Sequence, residues 1–92
     1  MLEVTLSSQC KRDIRKSNRR GKDINKLETI ANTLAKQKPL AKRHRDHALS
    51  GDYIGMRECH IEPDWLLVYK INVATKELRL VRTGTHTDLF SQ

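Results

Sequence analysis

Four histidines, His44, His47, His60 and His86, stand in a chain that has only four Phe, Tyr and Trp residues. Histidine is the side chain whose unperturbed pKa, about 6.5, lets it give or take a proton near neutral pH. A histidine set with one carboxylate and one arginine matches what metal-free RNA cleavage demands. A base takes the 2′-hydroxyl proton, an acid protonates the departing 5′-oxygen, and a cation steadies the crowded phosphate. Because the 2′-hydroxyl is the internal nucleophile, such chemistry is confined to RNA. His60, Asp64, Arg82 and His86 are the candidates, whereas His44 lies in a basic run and is given no role. The ordinary readings stand beside this. A strand histidine is often a hydrogen-bonded structural residue, an aspartate after proline is often a turn residue, and Phe90 could simply pin the C-terminus. Trp65, set among apolar neighbours, fits the core better than a base-stacking platform. Metal ligation by three histidines and Asp64 has no HxxxH or HExxH spacing behind it.

Residues this far apart meet only if the fold brings them together. Leu2, Val4 and Leu6 alternate with Glu3 and Thr5 as in a short half-buried strand. Ser7 or Ser8 then caps a helix reaching about Arg20, closed by Gly21, with a poor apolar face of Cys10 and Ile14. A second helix from about Asp23 carries Ile24, Leu27, Ile30, Ala31 and Leu34 as one stripe, and Pro39 is expected to end it. Residues 42–46 read as a charged connection. Tyr53 to Ile61, Asp64 to Ile71 and Glu77 to Thr83 read as strands joined by two turns, one at Glu62-Pro63 and one between Asn72 and Lys76. The order βααβββ, in one domain spanning residues 1–92, implies an α+β fold: an antiparallel sheet with two N-terminal helices packed on one face. A hairpin turning at Glu62 sets His60 opposite Asp64, and one turning near Ala74 sets Leu66 opposite Arg82. His60, Asp64 and Arg82 then meet at one sheet end, with His86 just beyond it.

The charge points to the partner. The net charge is +7, and residues 11–45 hold thirteen Lys/Arg against Asp13, Asp23 and Glu28, so the rest of the chain is net negative. Such asymmetry predicts a polyanion, with nucleic acid ahead of an anionic membrane because no strongly amphipathic anchor accompanies it. Lys11, Arg12, Arg15 and Arg19, on the first helix, are the candidate phosphate contacts. The longest apolar run, Trp65 to Tyr69, is far shorter than the ~20 residues of a membrane span, and no signal sequence is visible, so a cytoplasmic location is expected. Cys10 and Cys59 are expected to be buried thiols, not a disulfide or a zinc site.

Three segments in this order, DHALSG (Asp46 to Gly51), RECHIEPDWLLVYK (Arg57 to Lys70) and RTGTHTDLF (Arg82 to Phe90), after a basic two-helix half, resemble the YafQ family of bacterial toxins within the RelE/ParE superfamily. The match is close over residues 46–90 and rests on length and charge over residues 1–45. The resemblance implies a RelE-like fold and an endoribonuclease, without cofactor or metal, that enters the ribosomal A site and cuts messenger RNA during translation. It also implies inhibition by a DinJ-like antitoxin, with DNA engaged only through that antitoxin. By motif position it assigns His47, His60, Asp64, Arg82 and His86 to the catalytic set and Phe90 to the functional aromatic, with Trp65 a candidate for stacking or pocket shape. Alternatives from other classes are a non-enzymatic ParE-like inhibitor of DNA gyrase and a basic RNA-binding module.

Overall fold

All five residues from Trp65 to Tyr69 are buried. Their side chains alternate between the two faces of a strand, so that strand must be covered on both sides. The computed structural model, which describes residues 1–90, places it at the centre of a five-stranded sheet ordered β1-β5-β4-β3-β2. The elements are β1 (Glu3–Leu6), α1 (Ser8–Arg19), α2 (Ile24–Ala35), β2 (His47–Ala48), β3 (Arg57–Glu62), β4 (Trp65–Asn72), β5 (Glu77–Gly84) and α3 (His86–Phe90), with 3-10 turns at Lys42–His44 and Gly51–Tyr53. The α+β class and the two helices on one face are as the sequence predicts.

One face of β4, through Trp65, Leu67 and Tyr69, joins Cys59, Ile61, Leu78 and Leu80 in the main core under the helices. The α2 stripe of Leu27, Ile30, Ala31, Leu34 and Ala35 closes that core. Leu66 and Val68, on the other face, form a smaller cluster with Leu89 of α3, flanked by Leu49, Tyr53, Met56, Val81 and Phe90. That second layer, together with β2 and both 3-10 turns, was not anticipated from the sequence. The strand expected from Tyr53 starts only at Arg57, because Tyr53 lies in a 3-10 turn and Gly55 takes φ +87°.

The helix starts fall where expected. Ser7 Oγ accepts from Cys10 N–H and Asp23 Oδ1 from Asn25 N–H, each supplying an acceptor to an otherwise unpaired first-turn amide. Gly21, at φ +84°, follows α1 as the left-handed residue. α2 stops at Ala35, before Pro39 can act, because Gln37 adopts φ +56° and its N–H closes onto Leu34 O.

The sheet is not wholly antiparallel. β1 pairs parallel to β5, from Glu3 opposite Glu77 to Leu6 opposite Leu80. The chain then turns away: Ser7 N–H donates to Leu80 O, and Ser7 Oγ–H to Val81 O. The edge of β5 beyond Leu80 therefore has no strand beside it, and α1 fills the gap. Asp13 and Ser17, one and two turns beyond Cys10, are buried there, and Asp13 Oδ2 accepts from Thr83 N–H at 3.2 Å. An unpaired backbone donor so placed would be costly, which accounts for Asp13 on the inward line of α1.

Both hairpin registers differ from expectation. Pro63 and Asp64 form the first turn, so Glu62 faces Trp65, and an irregularity between His60 and Glu62 leaves His60 opposite Leu66, not Asp64. In the second hairpin Asn72 faces Glu77 across a longer turn, and a bulge around Val81 moves Arg82 opposite Val68, with Gly84 opposite Leu66.

Cys10 and Cys59 are fully buried and unpaired, and burial pushes both thiols up to about 12. Among the described residues, no helix is long and apolar enough to cross a membrane.

Leu67 is fully buried in the central strand. Leu67→Ala is expected to lower unfolding free energy by about 2–5 kcal/mol, measured by urea denaturation; a loss below about 1 kcal/mol would contradict the core described above.

Candidate active site

The register corrections order the functional side chains into two rows on the sheet face away from α1 and α2. Residues paired across antiparallel strands share a face. His47, Glu58, Val68 and Arg82 form one row across β2, β3, β4 and β5, and His60, Leu66 and Gly84 form the next. Glu58 and Arg82 are thus two strand spacings apart, about 10 Å. The apolar Val68 and Leu66 lie between the polar ends.

His86 comes to this face by a turn and a short helix. Thr85 caps α3: Thr85 Oγ1 accepts from Asp88 N–H at 3.1 Å, while Asp88 Oδ2 accepts from Thr85 N–H at 3.0 Å. This reciprocal pair satisfies two first-turn donors. A Cβ on Gly84 would lie 2.9 Å from Asp88 Cβ, so the close return of the chain excludes any larger residue there. Asp88 also binds Arg20 at 2.6 Å and Lys16 at 3.6 Å, tying α3 to α1. The Arg20 guanidinium holds the Asp88 carboxyl well below the usual carboxylate range, with the Thr85 bonds adding to the effect.

Asp64, on the first hairpin turn, accepts through Oδ1 both the His86 backbone N–H at 3.0 Å and the His86 ring Nδ1–H at 2.6 Å. These bonds, the backbone one first, hold Asp64 below the ordinary range. With Nδ1–H committed to a carboxylate, Nε2 of His86 is left for proton transfer. His60 sits edge-on to His86, ring centroids 5.6 Å apart. Its Nδ1 lies 3.3 Å from Pro63 O and its Nε2 lies 3.6 Å from Glu58 Oε1. His47 approaches the same Glu58 oxygen at 3.7 Å, and its Nδ1 lies 2.6 Å from Arg45 O. Both histidines can therefore donate through Nδ1 to a carbonyl and turn Nε2 toward one carboxylate.

Glu58 is buried beneath these two rings, and sequence reasoning missed it. Its signal was the two-residue spacing from His60, which puts both on one face of a strand. Tyr53 was missed as a functional residue too. Its ring meets Phe90 edge-to-face at 5.7 Å, and it is a minor partner of the Arg82 guanidinium.

Arg82 Nε donates to Asp13 Oδ2 at 2.8 Å and Nη2 to Asp13 Oδ1 at 3.4 Å. The Asp13 bond raises the Arg82 pKa, so the guanidinium is a permanent cation.

Trp65 does not belong to this face. It is 1% exposed in the core beneath the helices, with Lys22 Nζ 5.9 Å from its ring centroid, so its ring is not available to stack on a base. The basic residues of α1 divide: Arg12 and Arg19 line a cleft of about 220 Å³ that also holds Arg82 and Lys16, whereas Lys11 and Arg15 are exposed outside it. His44 supports the site indirectly, its Nδ1 lying 2.6 Å from His60 O. Among the described residues, no group of three or more His, Cys, Asp or Glu side chains is disposed to hold a metal ion.

Residues 2–91 match the family model described as the bacterial toxin of type II toxin–antitoxin systems, YafQ. The chain is 40% identical over 89 residues to the mRNA interferase toxin YafQ of Escherichia coli (strain K12), covering 96% of this chain and 95% of that one. Among solved structures, a metal-bound toxin from Helicobacter pylori superposes with TM-score 0.93 at 39% identity, covering 98% of this chain and 100% of that one. A toxin chain from an E. coli DinJ–YafQ complex superposes with TM-score 0.87 at 38% identity, covering 98% and 99%.

A depressed carboxyl pKa contributes stability that is present above the unfolded-state value, about 3.9, and lost as pH falls through the folded value. The Asp88 clamp is therefore expected to hold α3 down through pH 4, releasing it only at more acidic pH. Amide hydrogen exchange at residues 86–90 measures this; in Asp88→Asn the same amides are expected to exchange faster already at pH 7.

Proposed function

This chain belongs to the YafQ family of bacterial type II toxins, and from that premise we propose that it is an endoribonuclease that cuts messenger RNA in the ribosomal A site during translation. The observation that carries the reading is the pairing of two histidines 5.6 Å apart, one backed by Asp64 and the other by Glu58, on an open sheet face that ends at Arg82. That spacing puts both rings within reach of a single phosphodiester.

The roles follow from the partners. His60 Nε2 takes the 2′-hydroxyl proton, and the buried Glu58 carboxylate steadies the imidazolium that results. The freed 2′-oxygen attacks the adjacent phosphorus. Arg82 meets the charge that builds on the phosphoryl oxygens. His86, protonated and held through Nδ1 by Asp64, delivers its Nε2 proton to the departing 5′-oxygen, leaving a 2′,3′-cyclic phosphate and a 5′-hydroxyl. His47, across from Glu58, orients the RNA with Phe90 and Tyr53. Base, acid and cation are all side chains of this protein, so the reaction proceeds without a metal or an organic cofactor.

The surplus cations of residues 11–45, among them Lys11, Arg12, Arg15 and Arg19, hold ribosomal RNA phosphates, which makes binding fall steeply with added salt. A relative of this chain is known in complex with DinJ, and we assign this toxin a DinJ-like antitoxin, which also carries any sequence-specific DNA binding of the pair. Its place of action is the cytoplasm, with the 70S ribosome.

Primer extension on a reporter messenger RNA, translated and untranslated, tests the reading. Cuts in codon register are expected only on translated RNA. They should drop by about 10²-fold or more in His86→Ala and in Glu58→Gln. Growth arrest by the wild type without any cuts would sink the nuclease and redirect attention to DNA gyrase or another bound target.

A further inference from the structure

Asp13 is one of two buried carboxylates among the described residues, and the reaction above does not use it. It sits on the inward line of α1, where an apolar side chain would bury at no electrostatic cost. Burial pushes its carboxyl up, but bonds from Arg82, Gln9 and Thr83 outweigh that and hold it below the usual range. Oδ2 accepts from Arg82 Nε at 2.8 Å and from Thr83 N–H at 3.2 Å, and Oδ1 from Gln9 Nε2 at 2.9 Å and Arg82 Nη2 at 3.4 Å. Four donors fill the capacity of a carboxylate, so it has no freedom to turn.

We propose that Asp13 is a positioning residue for RNA cleavage, gripping Arg82 side-on through Nε and Nη2 so that the remaining guanidinium N–H groups are presented to the scissile phosphate. This rests on the nuclease reading given above. Of five guanidinium N–H donors, two are committed to Asp13, and the other three face the open side, where Tyr53 is a minor partner. A buried ion pair is about neutral for stability against well-packed apolar residues, so stability alone does not explain a carboxylate here. Orientation does. An arginine on an open sheet face otherwise samples many rotamers, and a transition-state contact is effective only when it is already in place. The grip is anchored to β5 itself through Thr83, the residue next to Arg82. The other charged groups lining the same cleft are Arg12, Lys16, Arg19 and Asp88. Asp88 is taken up by Arg20 and Lys16, so Arg12 and Arg19 keep the cleft positive although Asp13 offsets the Arg82 charge.

The test is single-turnover cleavage of translated messenger RNA on programmed ribosomes by wild type, Asp13→Asn, Arg82→Ala and the double variant. Asp13→Asn is expected to lower the cleavage rate at least tenfold with ribosome affinity unchanged. In the Arg82→Ala background the same change is expected to alter the rate by less than twofold. That coupling in the cleavage rate is the readout a merely structural role would not move, and NMR checks the grip itself: the Arg82 Nε–H is expected to exchange slowly in the wild type. Should Asp13→Asn not fold, Arg82→Lys, which keeps the charge but lacks the fork, is expected to be as slow as Arg82→Ala. Asp13→Asn cleavage within twofold of wild type, additive losses in the double variant, a freely exchanging Nε–H, or Arg82→Lys near wild-type rate would each overturn the role of Asp13 while leaving the nuclease standing. A wild type that cuts no translated RNA would overturn the nuclease reading, and this inference with it.

Discussion

A central strand with no face left for water sets the terms for everything around it. Trp65, Leu67 and Tyr69 require one cover and Leu66 and Val68 another. The first requirement is met by α1, α2 and the apolar side chains of β3 and β5. The second is met thinly, by a five-residue helix and two aromatic rings. A thin cover leaves part of that sheet face open, and there His60 and His86 meet above Glu58, with Arg82 two strands from Glu58. The site is thus a by-product of unequal layers: a deep core on one side stabilises the strands, and the shallow side can stay polar.

The short reach of β1 has a second effect. It pairs with β5 only as far as Leu80, so the half of β5 that carries Arg82 lies against a helix and not a strand. A strand neighbour would have met the Thr83 N–H with a carbonyl and left no room for a side chain. The helix meets it with Asp13, which is how a residue near the N-terminus comes to hold the arginine of the C-terminal motif. The basic exterior of α1 and the acidic residue inside it therefore serve different ends on one element.

Much of the architecture was legible in the sequence because its signals are local. The stripe from Leu27 to Leu34, the caps at Ser7 and Asp23 and the left-handed stop at Gly21 each act within one turn of helix. The apolar run at Trp65 marked the central strand by the same kind of signal. What was not legible depends on pairing. The extra residue near Val81 and the two-residue turn at Pro63 and Asp64 fixed the registers, and neither leaves a pattern that periodicity can read. Of the expected cluster His60, Asp64, Arg82 and His86, Asp64 and His60 each meet His86 and not one another, while Arg82 turns to Asp13. Trp65 was overvalued because an indole in a motif reads alike whether it faces RNA or the core, and Glu58 was undervalued because a strand glutamate next to arginine reads as surface.

The bulge at Val81 also decides handedness of another kind, that of inside and outside. Before it, Leu78 and Leu80 of β5 point under the helices. After it the alternation is displaced by one step, so that Arg82 emerges on the open face and Thr83 turns inward. Were Val81 instead drawn into the ladder opposite Val68, every apolar position before it would be untouched, yet Arg82 would fall opposite Leu67, on the wrong side of the sheet. In this small fold, then, stability and chemistry are set by different stretches of one strand: the residues before the bulge hold the core, and a single residue kept out of the ladder decides whether the arginine reaches the open face.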